Sequence, residues 1–158
     1  MSSKELTKPP VASTAMLIRK PVSQVFEAII DPAVTAHFWF TKGSDRLVVG
    51  KTVRWEWAMY DIAIDVTAKV IEPHKQIVME WPGYSGQTTV TWRFTEVPDG
   101  TFVEVEETGW TGTGDDLLNY VREATGGFTW TLAGMKAYLE HGVELNLVAD
   151  RFPRGIEH

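Results

Sequence analysis

Apolar and polar residues alternate with two different periods along this chain of 158 residues. A period of two, typical of a strand, begins at Val11 and continues to about Arg19. Residues 20–32 (KPVSQVFEAIIDP) instead place apolar side chains three and four positions apart, after a proline suited to a first helical turn. The pattern therefore predicts one strand and an amphipathic helix. A second short helix, which Asp31 can cap, is predicted to end in HFWF at residues 37–40.

The period of two returns over residues 45–107 and predicts six strands there. Turn sequences separate the apolar runs, and the Asp99-Gly100 pair is a strong marker of a β-hairpin. Strands joined by such short turns pair antiparallel, because parallel pairing requires long crossovers. A long final helix is predicted over about residues 115–141, with Gly142 as its C-cap.

This order of elements predicts an α+β fold, in which a curved antiparallel sheet of six to seven strands wraps around the long C-terminal helix. Seven strands spaced about 4.8 Å apart form a sheet about 34 Å wide. A helix with its side chains is only about 10–12 Å across, so it cannot cover a flat sheet of that width. The sheet is therefore expected to curl around the helix and to leave a cavity between them, with the two short helices closing one end.

The composition of the chain mainly excludes classes of partner and cofactor. The chain carries 15 Lys and Arg against 21 Asp and Glu, a net charge of −6 without a basic run, so no nucleic-acid partner is expected. There is no cysteine, and the four histidines lack metal-ligand spacing, so neither a metal nor another cofactor is expected. No apolar run reaches the roughly 20 residues of a membrane span. We therefore expect a cytoplasmic protein without membrane insertion.

The chain divides into three parts on composition. Residues 1–10 are polar and end in two prolines, which predicts a flexible tail. Residues 11–142 carry all the periodic segments and form one predicted domain. Residues 143–158 begin with an apolar stretch that is unlike a free end. This extension is expected to pack on the domain or across a homodimer.

Three stretches resemble the START-like (helix-grip, SRPBCC) superfamily, and within it the branch named for the activator of heat-shock-protein ATPase. They are PVSQVFEAIIDPAVTAHFWF (21–40), GTFVEVEETGW (100–110) and GGFTWTLAGMKAYLEHG (126–142). The similarity covers about residues 11–142. It implies a deep apolar cavity between the long helix and the sheet, in which members bind lipids, hormones or polyketides. Some members catalyse cyclisation or hydrolysis, and others act through protein contacts.

The candidate ligand-binding residues are those expected to line this cavity. They are Trp39, Trp55, Trp57, Trp81, Trp92, Glu107, Tyr120, Ala124, Gly127, Phe128 and Thr131. Simple core packing is the alternative for each tryptophan. The adjacent pair Gly126-Gly127 costs a helix about 1 kcal/mol per glycine. The pair either shapes the cavity or permits close packing against Trp39 or Trp55.

Two titratable residues are candidates for chemistry. Glu107 continues the inward alternation of Val103 and Val105, and an apolar cavity would raise its pKa by desolvation. The alternative is that the strand ends one residue earlier and Glu107 faces solvent. His37, beside an aromatic run, is a candidate titratable group at the cavity mouth, or else a partly exposed histidine without a chemical role.

Three functions are consistent with these observations. The first is binding of a largely apolar small molecule, such as a lipid or polyketide, in the helix–sheet cavity. The second is a cyclase or hydrolase that uses acid/base chemistry there, since the sequence offers no nucleophile constellation and identifies no catalytic residue. The third is a chaperone-linked interaction protein, which the branch name suggests and the sequence does not otherwise support. An exposed apolar patch on the outer sheet face would favour the third.

Overall fold

The computed structural model describes residues 6–154, so parts of the predicted tail (1–5) and of the C-terminal extension (155–158) lie outside the described residues. The elements are β1 (Ala12–Ile18), α1 (Val22–Ile30), α2 (Pro32–Thr35), β2 (Lys42–Gly43), β3 (Thr52–Trp57), β4 (Ile62–Glu72), β5 (Gln76–Gly83), β6 (Gly86–Val97), β7 (Gly100–Thr108), α3 (Gly114–His141) and α4 (Leu147–Asp150). A single 3₁₀ turn, Ala58–Tyr60, precedes β4.

The strands form one curved sheet in the order β1-β7-β6-β5-β4-β3-β2, and all neighbouring strands are antiparallel. The predicted helix-grip architecture is therefore confirmed. One detail was wrong, because residues 45–107 contain the starts of five strands rather than six. The missing strand is β2, whose two residues lie earlier and are too few to show an alternation.

The inner face of the sheet is apolar because buried and exposed residues alternate along its strands. On β7, Val103, Val105 and Glu107 face inward, and the register pairs Glu107 with Val90 of β6. Trp92 of β6 is opposite Val105 and is fully buried. The helices α1 and α3 cover this face, as predicted from their apolar stripes.

The two halves of α3 are packed very differently. Its buried residues are Ala124, Phe128, Thr131, Leu132, Gly134 and Met135. The side chain of Lys136 donates a hydrogen bond to the carbonyl of Leu17 over 2.9 Å, which fixes this C-terminal half to β1. By contrast, residues 114–123 contain no buried side chain. Apart from Ala124, every buried side chain of α3 follows the glycine pair, so the C-terminal half is the one anchored in the core.

The glycine pair does not permit a close contact. A Cβ atom built on Gly126 or Gly127 meets no atom within 4 Å, apart from its own helix and chain neighbours. The alternative that Trp39 or Trp55 leaves no room for a Cβ is therefore wrong. Gly127 is also exposed at the surface, beside the buried stripe of α3. Neither glycine has a left-handed backbone, so packing and geometry give no reason for the pair.

The C-terminal extension follows Gly142, which ends α3 in the left-handed conformation at φ 65°. The hydroxyl of Tyr60 donates hydrogen bonds to the carbonyls of Val148 and Ala149, which lie in α4. The ring of Phe152 has its centroid 6.0 Å from that of Tyr60. The described part of the extension therefore lies on the surface of its own domain.

Candidate functional site

An aromatic cluster occupies the space between α3 and the sheet. Its centre is the indole of Trp39, which follows α2. Six ring centroids lie 5.0–6.1 Å from Trp39: those of Phe40, Trp55, Trp57, Trp81, Trp92 and Phe128. The strand alternation brings the indoles to this face, and the first buried turns of α3 add Phe128. The structure thus brings together all five predicted cavity tryptophans.

These rings fill the interior rather than lining an open cavity. The exposed fraction is 6% for Trp39, 1% for Trp55 and 0% for Trp92, so a water-sized molecule reaches almost none of their surface. Trp81 is half-buried and borders the first of two pockets near the surface. One of about 250 Å³ lies at the polar outer face beside Glu80, and one of about 170 Å³ lies between residues 36–41 and 144–149. The deep cavity that the resemblance implies is closed by side chains in this conformation.

Glu107 lies at the edge of this cluster, with only 2% of its surface exposed. Strand β7 continues to Thr108, so the alternative that Glu107 faces solvent does not hold. Its Oε2 atom accepts two hydrogen bonds, one of 3.0 Å from the indole nitrogen of Trp81 and one of 2.5 Å from the hydroxyl of Thr88. Both donors are neutral, so a buried carboxylate is held here without an ion pair.

Burial raises the pKa of the Glu107 carboxyl, and the hydrogen bonds from Thr88 and Trp81 oppose that rise without reversing it. Both of these hydrogen bonds fall on Oε2. The other oxygen, Oε1, accepts none from the described residues. Oε1 is therefore the carboxyl oxygen that remains available to a ligand. That atom can accept a hydrogen bond from a ligand when Glu107 is ionised and donate one when it is protonated.

Gly83 makes room for this arrangement at the end of β5. A Cβ atom at this position would lie 2.5 Å from the hydroxyl oxygen of Thr88 and 2.8 Å from Oε2 of Glu107. Both distances are shorter than real Cβ contacts allow. The hydrogen-bonded pair of Glu107 and Thr88 therefore requires glycine here, although Gly83 has an ordinary backbone conformation.

A second aromatic group covers the carboxylate from outside. The rings of Tyr84, Trp110 and Tyr120 lie 6.4–6.5 Å apart and within 19° of parallel. The indole of Trp110 donates a hydrogen bond of 3.0 Å to the backbone carbonyl of Glu107. Nearby, the hydroxyl of Thr111 donates to the carbonyl of Ser85 over 2.8 Å. These contacts join the β5–β6 turn, the β7–α3 loop and the start of α3 above the site.

The other predicted site residues divide between the interior and the surface. The face of α3 that packs on the sheet contains the buried residues Ala124, Phe128 and Thr131. The hydroxyl of Thr131 donates a hydrogen bond to the backbone carbonyl of Gly127. Tyr120 is half-buried in the outer aromatic group. The Trp57 ring is 8% exposed within the inner cluster.

His37 is not part of the Glu107 site. Its Nδ1 atom lies 2.7 Å from Oε1 of Glu144 in the C-terminal extension, and its ring stacks on Tyr138 at 4.3 Å. Its side chain is 43% exposed. The contact with Glu144 ties the extension to the loop after α2, so the structure assigns His37 to that surface.

Sequence reasoning missed Gly83, Tyr84, Thr88 and Trp110. Thr88 is directly opposite Trp81 in the β5–β6 hairpin, and this register brings its hydroxyl to Glu107. The sequence feature that could have identified Thr88 is the hairpin itself. Gly83 pairs with Gly86 across a two-residue turn, and this pairing sets the register of the two strands. Within residues 6–154, no group of three or more potential metal ligands is found and no helix is long and apolar enough to span a membrane.

Comparison with known proteins supports the architecture. The family described as Activator of Hsp90 ATPase homolog 1-like protein matches residues 19–140. A comparison with curated proteins finds no significant match. Among solved structures, the protein SSP2350 from Staphylococcus saprophyticus is 29% identical, with a TM-score of 0.76, and the alignment covers 86% of this chain and 96% of that one.

Two further structures share the fold at lower identity. The Aha1 dimer from Colwellia psychrerythraea is 18% identical with a TM-score of 0.72, covering 84% of this chain and 98% of that one. DynU16, a protein of the dynemicin biosynthetic locus, is 21% identical with a TM-score of 0.74. That alignment covers 85% of this chain and 48% of DynU16, so this chain spans about half of the DynU16 length.

The family match and the helix-grip topology together define a START-like domain. The chain belongs to the Activator of Hsp90 ATPase homolog 1-like family.

Proposed function

We propose that the protein binds a small, largely apolar molecule between the sheet and the N-terminal half of α3. Aromatic rings contact the apolar body of the ligand, and Glu107 contacts a polar group on it. The DynU16 structure, from a biosynthetic locus, shares this fold and is compatible with such a role. The proposal rests on the chain's own residues, because the fold hosts many functions.

The observation that carries the proposal is the buried Glu107 carboxyl. Burial of an ionised carboxylate costs several kcal/mol unless a cation or many donors compensate. Here two neutral donors share Oε2, while Oε1 has no partner among the described residues. If this residue had only a structural role, an apolar side chain would fill the position with a smaller desolvation penalty. A ligand hydroxyl that donates to Oε1 would satisfy the remaining lone pairs.

Access to the site requires movement, and α3 is built to allow it. Residues 114–123 contribute no buried side chain, and the glycine pair 126–127 separates them from the anchored half. Displacement of this N-terminal half would uncover the Phe128 ring, which stacks on Trp81 with the two ring centroids 5.9 Å apart. Rotation of the Phe128 side chain, with the backbone of the anchored half unmoved, would then carry the ring away from Trp81. The space vacated by the Phe128 ring then lies beside Trp81, whose indole N–H donates to Glu107.

The test is an NMR titration that follows the seven tryptophan indole N–H signals. We use 4-ethylphenol, which combines an apolar ring with one hydroxyl, and ethylbenzene, which lacks the hydroxyl. We expect 4-ethylphenol to shift the Trp81 signal, because that N–H binds Glu107. The Trp130 signal provides an internal control, since this residue is 41% exposed and lies off the buried stripe.

The variant Glu107→Gln sharpens the test. Its amide oxygen can accept from Thr88 and Trp81, whereas its NH₂ group replaces Oε1 and cannot accept a hydroxyl proton. The preference for 4-ethylphenol over ethylbenzene should fall about 3- to 10-fold in the variant. His37→Gln, distant from the site, should leave the preference unchanged. Failure of both compounds to perturb Trp81 at millimolar concentration would contradict the proposal.

A second candidate function is acid/base catalysis by Glu107. The observation that favours it is the raised pKa of this carboxyl, which brings proton transfer closer to neutral pH. Native mass spectrometry of freshly purified protein would identify a co-purified molecule. If that molecule changes mass when incubated with the wild type and not with Glu107→Gln, the protein is an enzyme. Unchanged mass with both proteins supports binding alone.

A chaperone-linked role is less favoured by the surface. Outer-face positions such as Arg54, Asp65, Arg93 and Glu104 are exposed and charged. Of the exposed apolar residues on the strands, Val70 and Phe102 are each 37% exposed and Ile62, at the start of β4, is 49% exposed. A homodimer remains part of the proposal, because Val143 and Leu145 of the extension are 44% and 50% exposed. Light scattering before and after truncation at Gly142 tests it, and an unchanged monomeric mass would contradict it.

A further inference from the structure

The indole N–H of Trp92 is a buried donor without a partner. Trp92 is 0% exposed, and its Nε1 atom is the one buried side-chain nitrogen or oxygen in the described residues that makes no hydrogen bond. Buried polar groups are nearly always paired, since an unpaired one costs about 1–3 kcal/mol. A fully buried donor without a partner requires an explanation.

A trapped water is a poor explanation at this position. A buried water needs two to four polar partners. Around Trp92 the closest rings belong to Trp39, with centroids 5.5 Å apart, and Phe128, at 5.8 Å. The cross-strand neighbours Ile77 and Val105 are aliphatic. The Phe128 ring, inclined by 86° to the indole, offers at most a weak acceptor in its π face.

The orphaned donor and the Glu107 carboxyl lie on the same face of the sheet. Val90 pairs with Glu107 and Trp92 pairs with Val105, which makes Trp92 and Glu107 diagonal neighbours across β6 and β7. The backbone positions of such neighbours are about 7–8 Å apart, and their side chains extend from the same face. One substituted aromatic ring placed above this face is long enough to reach both side chains.

The Phe128 ring packs against Trp92 and against the tryptophan that donates to Glu107. Its centroid is 5.8 Å from that of Trp92 and 5.9 Å from that of Trp81, the residue that donates to Glu107. The rotation of the Phe128 side chain proposed above would remove this ring from both. The space that it leaves has the size of one phenyl ring and is bordered by Trp92 and by Trp81, the hydrogen-bond partner of Glu107.

We propose that Trp92 is the second polar anchor of the ligand site and that its indole N–H binds a carbonyl oxygen. This inference rests on the proposed function and narrows the ligand class. The ligand carries a flat apolar body with a hydroxyl for Glu107 at one end and a carbonyl for Trp92 at the other. Phe128 fills the same space when the site is empty.

The experiment compares two probes that differ only at the carbonyl end. 4-Hydroxyacetophenone has hydroxyl and carbonyl groups at opposite ends of its ring, and 4-ethylphenol has a methylene in place of the carbonyl. In the wild type the carbonyl should improve affinity about 3- to 10-fold, the typical gain of one neutral hydrogen bond. In Trp92→Phe this gain should disappear, whatever the absolute affinity of the variant.

Trp130→Phe is the control, because it makes the same truncation at a residue that is 41% exposed and lies outside the aromatic cluster. It should retain the gain from the carbonyl. If Trp92→Phe does not fold, the NMR signal of the Trp92 indole in the wild type provides the test. 4-Hydroxyacetophenone, and not 4-ethylphenol, should then move the Trp92 indole N–H signal downfield and slow its exchange with solvent.

The outcomes separate this inference from the proposed function. If 4-ethylphenol binds and the carbonyl adds no affinity, the role of Trp92 is wrong while apolar binding at Glu107 holds. An equal gain from the carbonyl in the wild type and Trp92→Phe also overturns it. If neither probe binds the wild type, the proposed function fails and the role of Trp92 fails with it.

Discussion

The two halves of α3 differ in what they hold together. From Phe128 onward the helix contributes fully buried side chains such as Leu132 and Met135 to the core. Before the glycine pair, the helix lies over the Glu107 site, and most of its side chains are exposed or half-buried, such as those of Leu118 and Tyr120. The difference teaches that the core depends on one half of the helix, while the binding proposed above would use the other half. The anchored half provides the fixed reference against which the other half can move.

The largest expected contrast comes from equal truncations in the two halves. Leu132→Ala should lower the free energy of unfolding by about 2–5 kcal/mol, because the side chain is 0% exposed. Leu118→Ala should change it by less than about 0.5 kcal/mol, because that side chain is 63% exposed. Urea denaturation followed by far-UV circular dichroism measures both. Similar losses for the two variants would remove the distinction between the halves.

Gly83→Ala should produce the next largest effect, at the site end of the molecule. The added methyl would overlap the Thr88 hydroxyl and Oε2 of Glu107, which predicts a loss of about 1–3 kcal/mol. Adding Thr88→Ala removes the closer of the two contacts and should restore part of the loss. Denaturation of both variants tests this, and strictly additive losses would show that Thr88 and Gly83 are not coupled.

The glycine pair should respond in the opposite direction. Replacing Gly126 and Gly127 by alanine should raise the free energy of unfolding by about 1–2 kcal/mol, because both have helical backbones and open space for a Cβ. Stiffening the junction should at the same time weaken binding of 4-ethylphenol. Thermal melts with and without this probe measure both effects. A stabilised variant with undiminished affinity would mean that the pair does not act as a hinge.

The smallest effect is expected from Glu107→Gln, and it depends on pH. Because the folded-state pKa of Glu107 is raised, the folded state holds this proton more tightly than the unfolded chain. The resulting stabilisation is complete at low pH and is lost as pH rises from the ordinary glutamate pKa of 4.5 through the raised value. The glutamine variant should therefore gain in relative stability over that window. A difference that is independent of pH would contradict the raised pKa.

Much of this fold could be predicted from the sequence because alternation and helical spacing report which face each residue occupies. The inward orientation of Glu107 followed from Val103 and Val105 in the same way. The partners of Glu107 did not, because Thr88 reaches it only through the register of the β5–β6 hairpin. The filling of the cavity by rings such as Trp39 depends on side-chain packing in three dimensions, which no period in the sequence encodes.

The most direct test of the mobile half of α3 is hydrogen exchange of the wild type, measured by mass spectrometry with and without 4-ethylphenol. Because residues 114–123 lack buried side chains, their amides should exchange much faster than those of residues 128–141 in the free protein. The probe should slow exchange in residues 114–127 and in β7 around Glu107, and leave residues 128–141 unchanged. Uniform protection along α3 that the probe does not alter would contradict a mobile N-terminal half and binding beneath it.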